Sequence, residues 1–153
     1  MIQQSRDFPE DISKYMPHDK PMALLTKMLE VSSGHFIAET DIHEGSMFFK
    51  PDKGVPTYVS LEYMAQAISA LDGYFAVQCG KKPRIGFLLG TRSMKFQRPY
   101  FIAGETLTIF VDETYNDGKM MAFNGAVEVE GDVVAKAVLN VFLPDDLNVF
   151  LKN

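Results

Sequence analysis

One acid and one amide stand out in the stretch GVPTYVSLEYMAQAISALDGYFAVQ, Gly54 to Gln78: Glu62 in its first turns and Gln66 one helical turn later. A carboxyl among apolar neighbours can give or take a proton, whereas a carboxylate at a helix start can simply complement the positive end of the helix dipole. Gln66, four residues on, lies on the same side of the helix and can hold Glu62 or a water, or be a buried amide satisfied by backbone. Proton transfer needs a counterpart. Histidine is the side chain whose ordinary titration lies nearest neutrality, and the chain has three, His18, His35 and His43. His35 follows a Ser-Ser-Gly turn and reads as solvent-facing. The single cysteine, Cys79, cannot form an intrachain disulfide and reads as a small packed hydrophobe. No metal or cofactor is expected.

The helix carrying Glu62 is predicted over about Thr57 to Gln78. Leu61, Met64, Ala65, Ile68, Leu71 and Phe75 cover nearly every direction around it, so it belongs inside the protein. FPEDISKYM, Phe8 to Met16, reads as a short helix between Pro9 and Pro17. MALLTKMLEV, Met22 to Val31, and HFIAETDI, His35 to Ile42, read as an antiparallel pair across Ser32-Ser33-Gly34. Beyond Gly80-Lys81-Lys82-Pro83 come four strands, with compact hairpin signals at Asn116-Asp117-Gly118 and Glu130-Gly131-Asp132. In the last strand Val133, Ala135, Ala137, Leu139, Val141 and Leu143 share one face, which commits that face to a core. Two strands, a buried helix and four more strands imply an α+β class: an antiparallel sheet curled around a central helix, the hot-dog arrangement.

A chain of 153 residues, 46% hydrophobic and 23% charged, fits one domain spanning 1–153. The start MIQQSRDFPEDISKYM has no apolar h-region, and no run approaches eighteen apolar residues, so the expectation is a cytoplasmic protein without a membrane span. A net charge of −5 excludes wholesale binding of nucleic acid, which requires a basic field.

Three ordered segments carry a family resemblance over most of the chain. YMPHDKPMALLTKMLEV resembles the LPHRYPFLLVDRVLE opening of the (3R)-hydroxyacyl-ACP dehydratases of the FabA/FabZ type. PTYVSLEYMAQAISAL resembles their PGVLxxEAMAQ helix, and GFLLGTRSMKFQRPYFIAGETLTI their FxGIDKxRFRRPVxPGDxLxL strand. The aryl-polyene-associated dehydratase-like subgroup, with PxWxxLEyMAQ at the helix, is closer still. The resemblance implies a hot-dog dimer or trimer of dimers with acyl tunnels at the subunit interface. Its substrate would be a 3-hydroxyacyl chain carried by phosphopantetheine on an acyl carrier protein, and water would be eliminated to give a trans-2-enoyl thioester.

That chemistry requires a base for the C2 proton, an acid for the departing hydroxyl and donors for the enolate oxygen. Glu62 falls on the family's acid position, where packing beside Leu61, Met64 and Ala65 favours the neutral acid and the helix N-terminus opposes it. The family's oxyanion donor is the N–H of a glycine after proline, which here is Thr57; Thr57, Tyr58, Gln66 and Phe48 are the expected substrate-binding residues. The family's catalytic histidine, in GHFPxxPxMPGVxxxE, stands fourteen residues before the glutamate, and this chain has Phe48 there, in GSMFFKPDKGVP. The alternative alignment, a shortened loop, supplies no histidine either. His18 occupies the histidine of LPHR and becomes the leading substitute base, against a structural role bonding backbone before the first strand. His43 precedes the altered loop and reads as an exposed loop residue. Two alternatives stay open: a catalytically silent subunit whose partner dehydratase supplies the histidine to a composite site with Glu62, and an acyl thioesterase in which Glu62 activates water. An acidic carrier needs a basic dock. The candidates are Lys81, Lys82 and Arg84 after the helix and Arg92, Lys95 and Arg98 along the next strand, where a bulge or twist is needed to bring Lys95 onto the face of Arg92 and Arg98.

Overall fold

A computed structural model describes residues 10–16, 23–84 and 86–144. They form β1 (Glu10–Asp11), β2 (Lys27–Ser32), β3 (His35–Asp41), β4 (Val55–Pro56), α1 (Ser60–Gln78), β5 (Phe87–Phe96), β6 (Tyr100–Phe101), β7 (Thr106–Asn116), β8 (Met120–Val129) and β9 (Asp132–Phe142). One antiparallel sheet runs β1-β2-β3-β7-β8-β9-β5, while β4 pairs with β6. The helix packs on β3, β7, β8 and β9, and the architecture is the expected hot-dog fold.

Alternation explains the register. Ala38 pairs with Ile109, Ile109 with Val127 and Val127 with Ala135, a continuous buried row across four strands beneath the helix. One row over, Phe36, Val111, Gly125 and Ala137 repeat the pattern. Gly125 is where α1 comes closest to the sheet: a Cβ there would meet Met64 Sδ at 2.7 Å and Leu139 Cδ1 at 2.9 Å. The predicted apolar face of β9 holds from Ala135 to Leu143. It breaks at Val134, an extra residue between the pairs Val127–Ala135 and Glu128–Val133, which is buried while Val133 is only half-buried.

The ends of α1 follow local rules. A 3-10 turn at Thr57–Val59 leads into it, so the predicted helix and its predecessor turn together span Thr57 to Gln78. At the other end Lys81 N–H reaches Ala76 O at 2.8 Å and Gly80 N–H reaches Val77 O at 3.0 Å, with Gly80 at φ 73°: a Schellman motif that only glycine enters without strain. Both predicted hairpins form. Between β8 and β9 the two loop residues, Glu130 and Gly131, have φ of 51° and 82°, the signs of a type I′ turn.

The expected helix over 8–16 is not present in its described part. Glu10 and Asp11 pair with Met28 and Lys27, and a 3-10 turn covers Ser13–Tyr15. Asp11 Oδ1 accepts the Ser13 N–H at 2.8 Å, a side-chain bond that starts a turn rather than a helix, and Ile12, Tyr15 and Met16 are all buried. The Tyr15 ring meets Tyr74 edge-on at 5.1 Å. The strand expected from Met22 starts at Lys27; Met22 itself lies outside the described residues, and the Leu24 backbone makes side-chain bonds in place of ladder bonds, its N–H donating to Gln66 of the helix and its carbonyl accepting the Thr40 hydroxyl of β3. Among the described residues no helix is long and apolar enough to cross a membrane.

Gly73 is the contact on which this N-terminal cover depends, because a Cβ there would lie 1.8 Å from the Tyr15 carbonyl oxygen. Gly73→Ala therefore displaces backbone and is expected to cost about 3 kcal/mol or more, the upper end of overpacking penalties. Gly90→Ala, whose Cβ meets nothing within 4 Å, should shift the denaturant midpoint little; equal midpoints for the two variants would contradict the close approach.

Candidate functional site

Glu62 lies in the first turn of α1, half-buried, and Gln66 is fully buried beside it. Gln66 Oε1 accepts the Leu24 N–H at 2.8 Å, and its Nε2 donates to Glu62 Oε1 at 3.0 Å. The direction is forced. A backbone N–H can only donate, so the amide oxygen must face Leu24 and the amide NH2 must face Glu62. Glu62 Oε1 is thereby committed to accepting, and any proton on this carboxyl sits on Oε2. The pairing between Glu62 and Gln66 is the one the sequence suggested; the anchor at Leu24 carried no sequence signal, since it comes from outside the helix.

A narrow cavity of about 100 Å³ runs along this face of α1, lined by Glu62, Ala65, Gln66 and Ser69 on one side and by Gly86, Leu88, Val141 and Leu143 on the other. Gly86 borders the cavity where a Cβ would meet Leu143 Cδ2 at 2.7 Å. Ser69 was not anticipated, although its spacing of i+7 from Glu62 places it on the same helical stripe. Its side chain is buried and its Oγ has no hydrogen-bond partner among the described residues.

The remaining expected site residues are dispersed. Thr57 is buried, but its N–H donates to Pro99 O at 2.9 Å and its Oγ1 to Arg98 O at 2.6 Å, so the expected oxyanion donor is already spent in joining the helix start to the chain after β5. Tyr58 is 59% exposed. Phe48 is half exposed in a left-handed conformation, φ 70°, and lines a separate groove with His43 and Tyr63. Tyr63 follows Glu62 in sequence but points about 100° away around the helix, and burial pushes its phenol up to about 12. His43 Nδ1 accepts the Gly45 N–H at 3.1 Å. His18 lies outside the described residues. Among the described residues no group of three His, Cys, Asp or Glu side chains is placed to hold a metal ion.

His35 lies on the outer face of β3, partly exposed, but it is not free there. Its Nδ1 lies 2.6 Å from Asp112 Oδ1 and its Nε2 2.5 Å from Glu30 Oε2, so the ring bridges β2, β3 and β7. Partial burial pulls its pKa down, but the hydrogen bonds to Asp112 and Glu30 and the two carboxylate charges outweigh it, leaving the pKa raised above 6.5.

The six candidate docking cations fall into two kinds. Arg84 is forked onto Asp72, with Nη2–Oδ1 at 2.5 Å and Nε–Oδ2 at 3.2 Å, and donates to Leu143 O at 3.0 Å. Arg98 is forked onto Glu105 at 2.9 and 2.7 Å. Both arginines hold the fold together. Lys81, Lys82, Arg92 and Lys95 are exposed. A bulge does align two of the three cations expected along β5: Arg92 pairs with Val138 and Lys95 with Lys136, so three residues of β5 advance against two of β9, and Ser93 takes φ 53°, while Arg98 lies past the end of the strand. Arg92 and Lys95 thus share the outer face of the sheet with Lys136, which was not among the expected docking residues.

The sequence model of the ApeP-like family, described as ApeP dehydratase, matches residues 10–152. The chain belongs to the ApeP-like dehydratase family. A chain of the dehydratase heterocomplex ApeI:P from Xenorhabdus doucetiae is 29% identical, superposes with a TM-score of 0.86, and the match covers 95% of the ApeP-like chain and 97% of that one. The 3-hydroxyacyl-[acyl-carrier-protein] dehydratase FabZ of Anaeromyxobacter dehalogenans is 29% identical over 139 residues, 88% of each chain. A hypothetical thioesterase of Streptococcus pneumoniae solved with coenzyme A, at 14% identity, TM-score 0.60 and 76% and 84% coverage, shares the fold alone.

The His35 bridge gives the ApeP-like chain a pH signature unrelated to turnover. Its folded pKa is raised, so the bridge's contribution is full below the unfolded value of 6.5 and is lost as pH rises through the folded value. The stability gap between wild type and His35→Gln, measured by urea titration, should narrow as pH rises above 6.5; a gap that widens would reverse the sign assigned to the bridge.

Proposed function

We propose that the chain acts in the dehydration of 3-hydroxyacyl thioesters presented on an acyl carrier protein, with Glu62 as the acid, in the cytoplasm. The observation that carries this reading is the clamp from Leu24 through Gln66 to Glu62 at the end of a narrow, mostly apolar cavity. Elimination breaks the C2–H and C3–O bonds and forms the C2–C3 double bond. A base takes the C2 proton while Glu62 Oε2 gives its proton to the leaving hydroxyl, which departs as water. With the Thr57 N–H bonded to Pro99 O and the Ser60 N–H bonded back to Thr57 O, neither is free for the enolate oxygen, and the nearest candidate donor is the Tyr58 N–H at the start of the 3-10 turn.

Among the described residues no imidazole lines the cavity of Glu62. The base is then His18 or a histidine of another subunit. Two observations favour the second source: Phe48 stands at the motif histidine's position, and β5, at the edge of the described sheet, exposes Leu88, Leu89, Met94 and Phe96. A strand with an open backbone edge and exposed apolar side chains is suited to pairing with another strand. The similarity to a chain of a dehydratase heterocomplex supports such a pairing, with a second copy or with a related dehydratase.

The deciding experiment is incubation with 3-hydroxyacyl-ACP, alone and with a candidate partner, followed by intact-mass detection of water loss. Glu62→Gln should lower turnover by about 10²- to 10⁴-fold, the usual worth of a proton donor, with an unchanged melting temperature; full turnover would remove Glu62 from the chemistry. His18→Ala should abolish turnover only if the protein works alone, whereas an inert protein revived by a partner assigns the histidine to that partner. Loss of the whole acyl group, in place of water, would instead support a thioesterase.

For the carrier dock, Arg92, Lys95 and Lys136 are favoured over Lys81 and Lys82. The chain after β5 bonds the helix start through Thr57, which puts this cluster toward the Glu62 end, whereas Glu62 to Gln78 is about 24 Å of helix. Reversing Arg92 and Lys95 to glutamate should weaken ACP-linked substrate several-fold, spare a pantetheine-linked analogue, and flatten the salt dependence of ACP affinity. A larger loss from reversing Lys81 and Lys82 would move the dock to the other end of the helix.

A further inference from the structure

We infer that Ser69 is a recognition point for a polar group carried on the acyl chain, so that the preferred substrate is not a simple alkyl chain but one bearing a hydroxyl or carbonyl well beyond the reacting carbons. The inference rests on the acyl-thioester reading above and deepens it.

The buried hydroxyl is the starting observation. Ser69 is 6% exposed and its Oγ has no hydrogen-bond partner among the described residues. A helical serine commonly bonds a carbonyl one turn back, and this one does not. A buried polar group left unpaired costs free energy, so an unpaired one lining a cavity marks a position where something else supplies the bond. The cavity it lines is the one that contains Glu62.

Geometry sets the distance. Glu62, Gln66 and Ser69 stand at i, i+4 and i+7 on one stripe of α1, and seven residues of helix rise about 10 Å. An extended chain of tetrahedral bonds advances roughly 1.2 Å per bond, so a chain reacting at Glu62 reaches Ser69 after about eight bonds. Between the two, the opposing wall is apolar: Leu88, Val141 and Leu143. Beyond Ser69 the stripe meets Asp72, three residues on, whose carboxylate is held by Arg84. A cavity built only for hydrocarbon would end on apolar side chains. This one has among its lining residues a hydroxyl without a partner.

Binding distinguishes this inference from the reading beneath it. Two non-reactive amide-linked 3-hydroxyacyl pantetheines would be compared by calorimetry on the full chain, alone and with the candidate partner subunit: one with a plain alkyl chain, the other with a hydroxyl about eight bonds past C3. Wild type should bind the hydroxylated analogue roughly five- to tenfold more tightly, the worth of one buried hydrogen bond. That ratio should fall to near one in Ser69→Ala and persist in Ser69→Thr, which keeps the hydroxyl. Equal wild-type affinities would overturn the inference and leave the acyl reading intact, since a trapped water or a partner subunit would then satisfy Ser69. A ratio that survives in Ser69→Ala would also overturn it, by placing the polar contact elsewhere. If neither analogue binds, the acyl-thioester reading falls and the inference with it. The wild-type ratio needs no variant, so a poorly folding substitution does not remove the test.

Discussion

A glutamine side chain with no exposure to solvent is the hinge between fold and site. Gln66 has two polar ends and no water, so each end must find a partner inside the protein. One end takes the Leu24 N–H, a backbone group of the segment leading into β2 that no strand satisfies; the other takes Glu62. Removing Gln66 would leave a buried N–H and a half-buried carboxyl without their bonds at once. The same residue therefore fixes where the chain enters the sheet and how the acid is oriented. Packing explains why the acid can be there at all, because the cavity wall opposite Glu62 is built from β5 and β9 and leaves a narrow gap along the helix.

The helix can serve this role because its distance from its surroundings is set at a few points where side chains are missing. Gly125 lets Met64 settle onto the middle of the sheet, and Gly73 lets the Tyr15 backbone cross the far side of α1. Between these contacts the helix has little freedom to slide or roll. Glu62, Ala65, Gln66 and Ser69 are thereby held as one stripe along the cavity whose other wall comes from β5, β9 and their flanking residues. Bulges adjust the same region from the sheet side. The bulge at Ser93 turns two cations of β5 to the outer face, and the extra residue at Val134 shifts β9 so that both Val134 and Ala135 are buried.

The parts of this arrangement that were legible in the sequence are those governed by short-range pattern. The apolar helix and the two hairpins with glycine each follow from spacing within a few residues, and the family resemblance led to Glu62. The missing parts depend on long-range pairing. Nothing near Arg84 or Arg98 shows that Asp72 and Glu105 will occupy them, and nothing in Pro99 announces that its carbonyl takes the Thr57 N–H. His35 read only as a solvent-facing residue, because its partners, Glu30 and Asp112, arrive from two other strands. The segment before β2 misled for a related reason: Ile12, Tyr15 and Met16 have helical spacing, but Asp11 closes a turn first and β2 offers a pairing edge.

The loss of the motif histidine and the survival of the acid have a common structural logic. Phe48 sits in a loop, left-handed and half exposed, in a groove apart from the cavity of Glu62; its side chain is not part of the core. A substitution there costs the fold little, so the identity of that residue is free to follow function alone. Glu62 differs in kind, since its carboxyl is a partner of Gln66 and through it of the β2 entry. An acid so embedded is retained by the fold whether or not the chain completes a reaction by itself. What distinguishes a retained relic from a working acid is the space around it. A relic would be expected to close over with hydrocarbon, yet here Glu62 borders an open cavity that also receives the unpaired hydroxyl of Ser69 and is walled by a strand whose apolar side chains face out of the subunit. Under the proposed function those features would be satisfied by an entering substrate and by a second subunit over β5, so the cavity fits one half of a site better than the remnant of one.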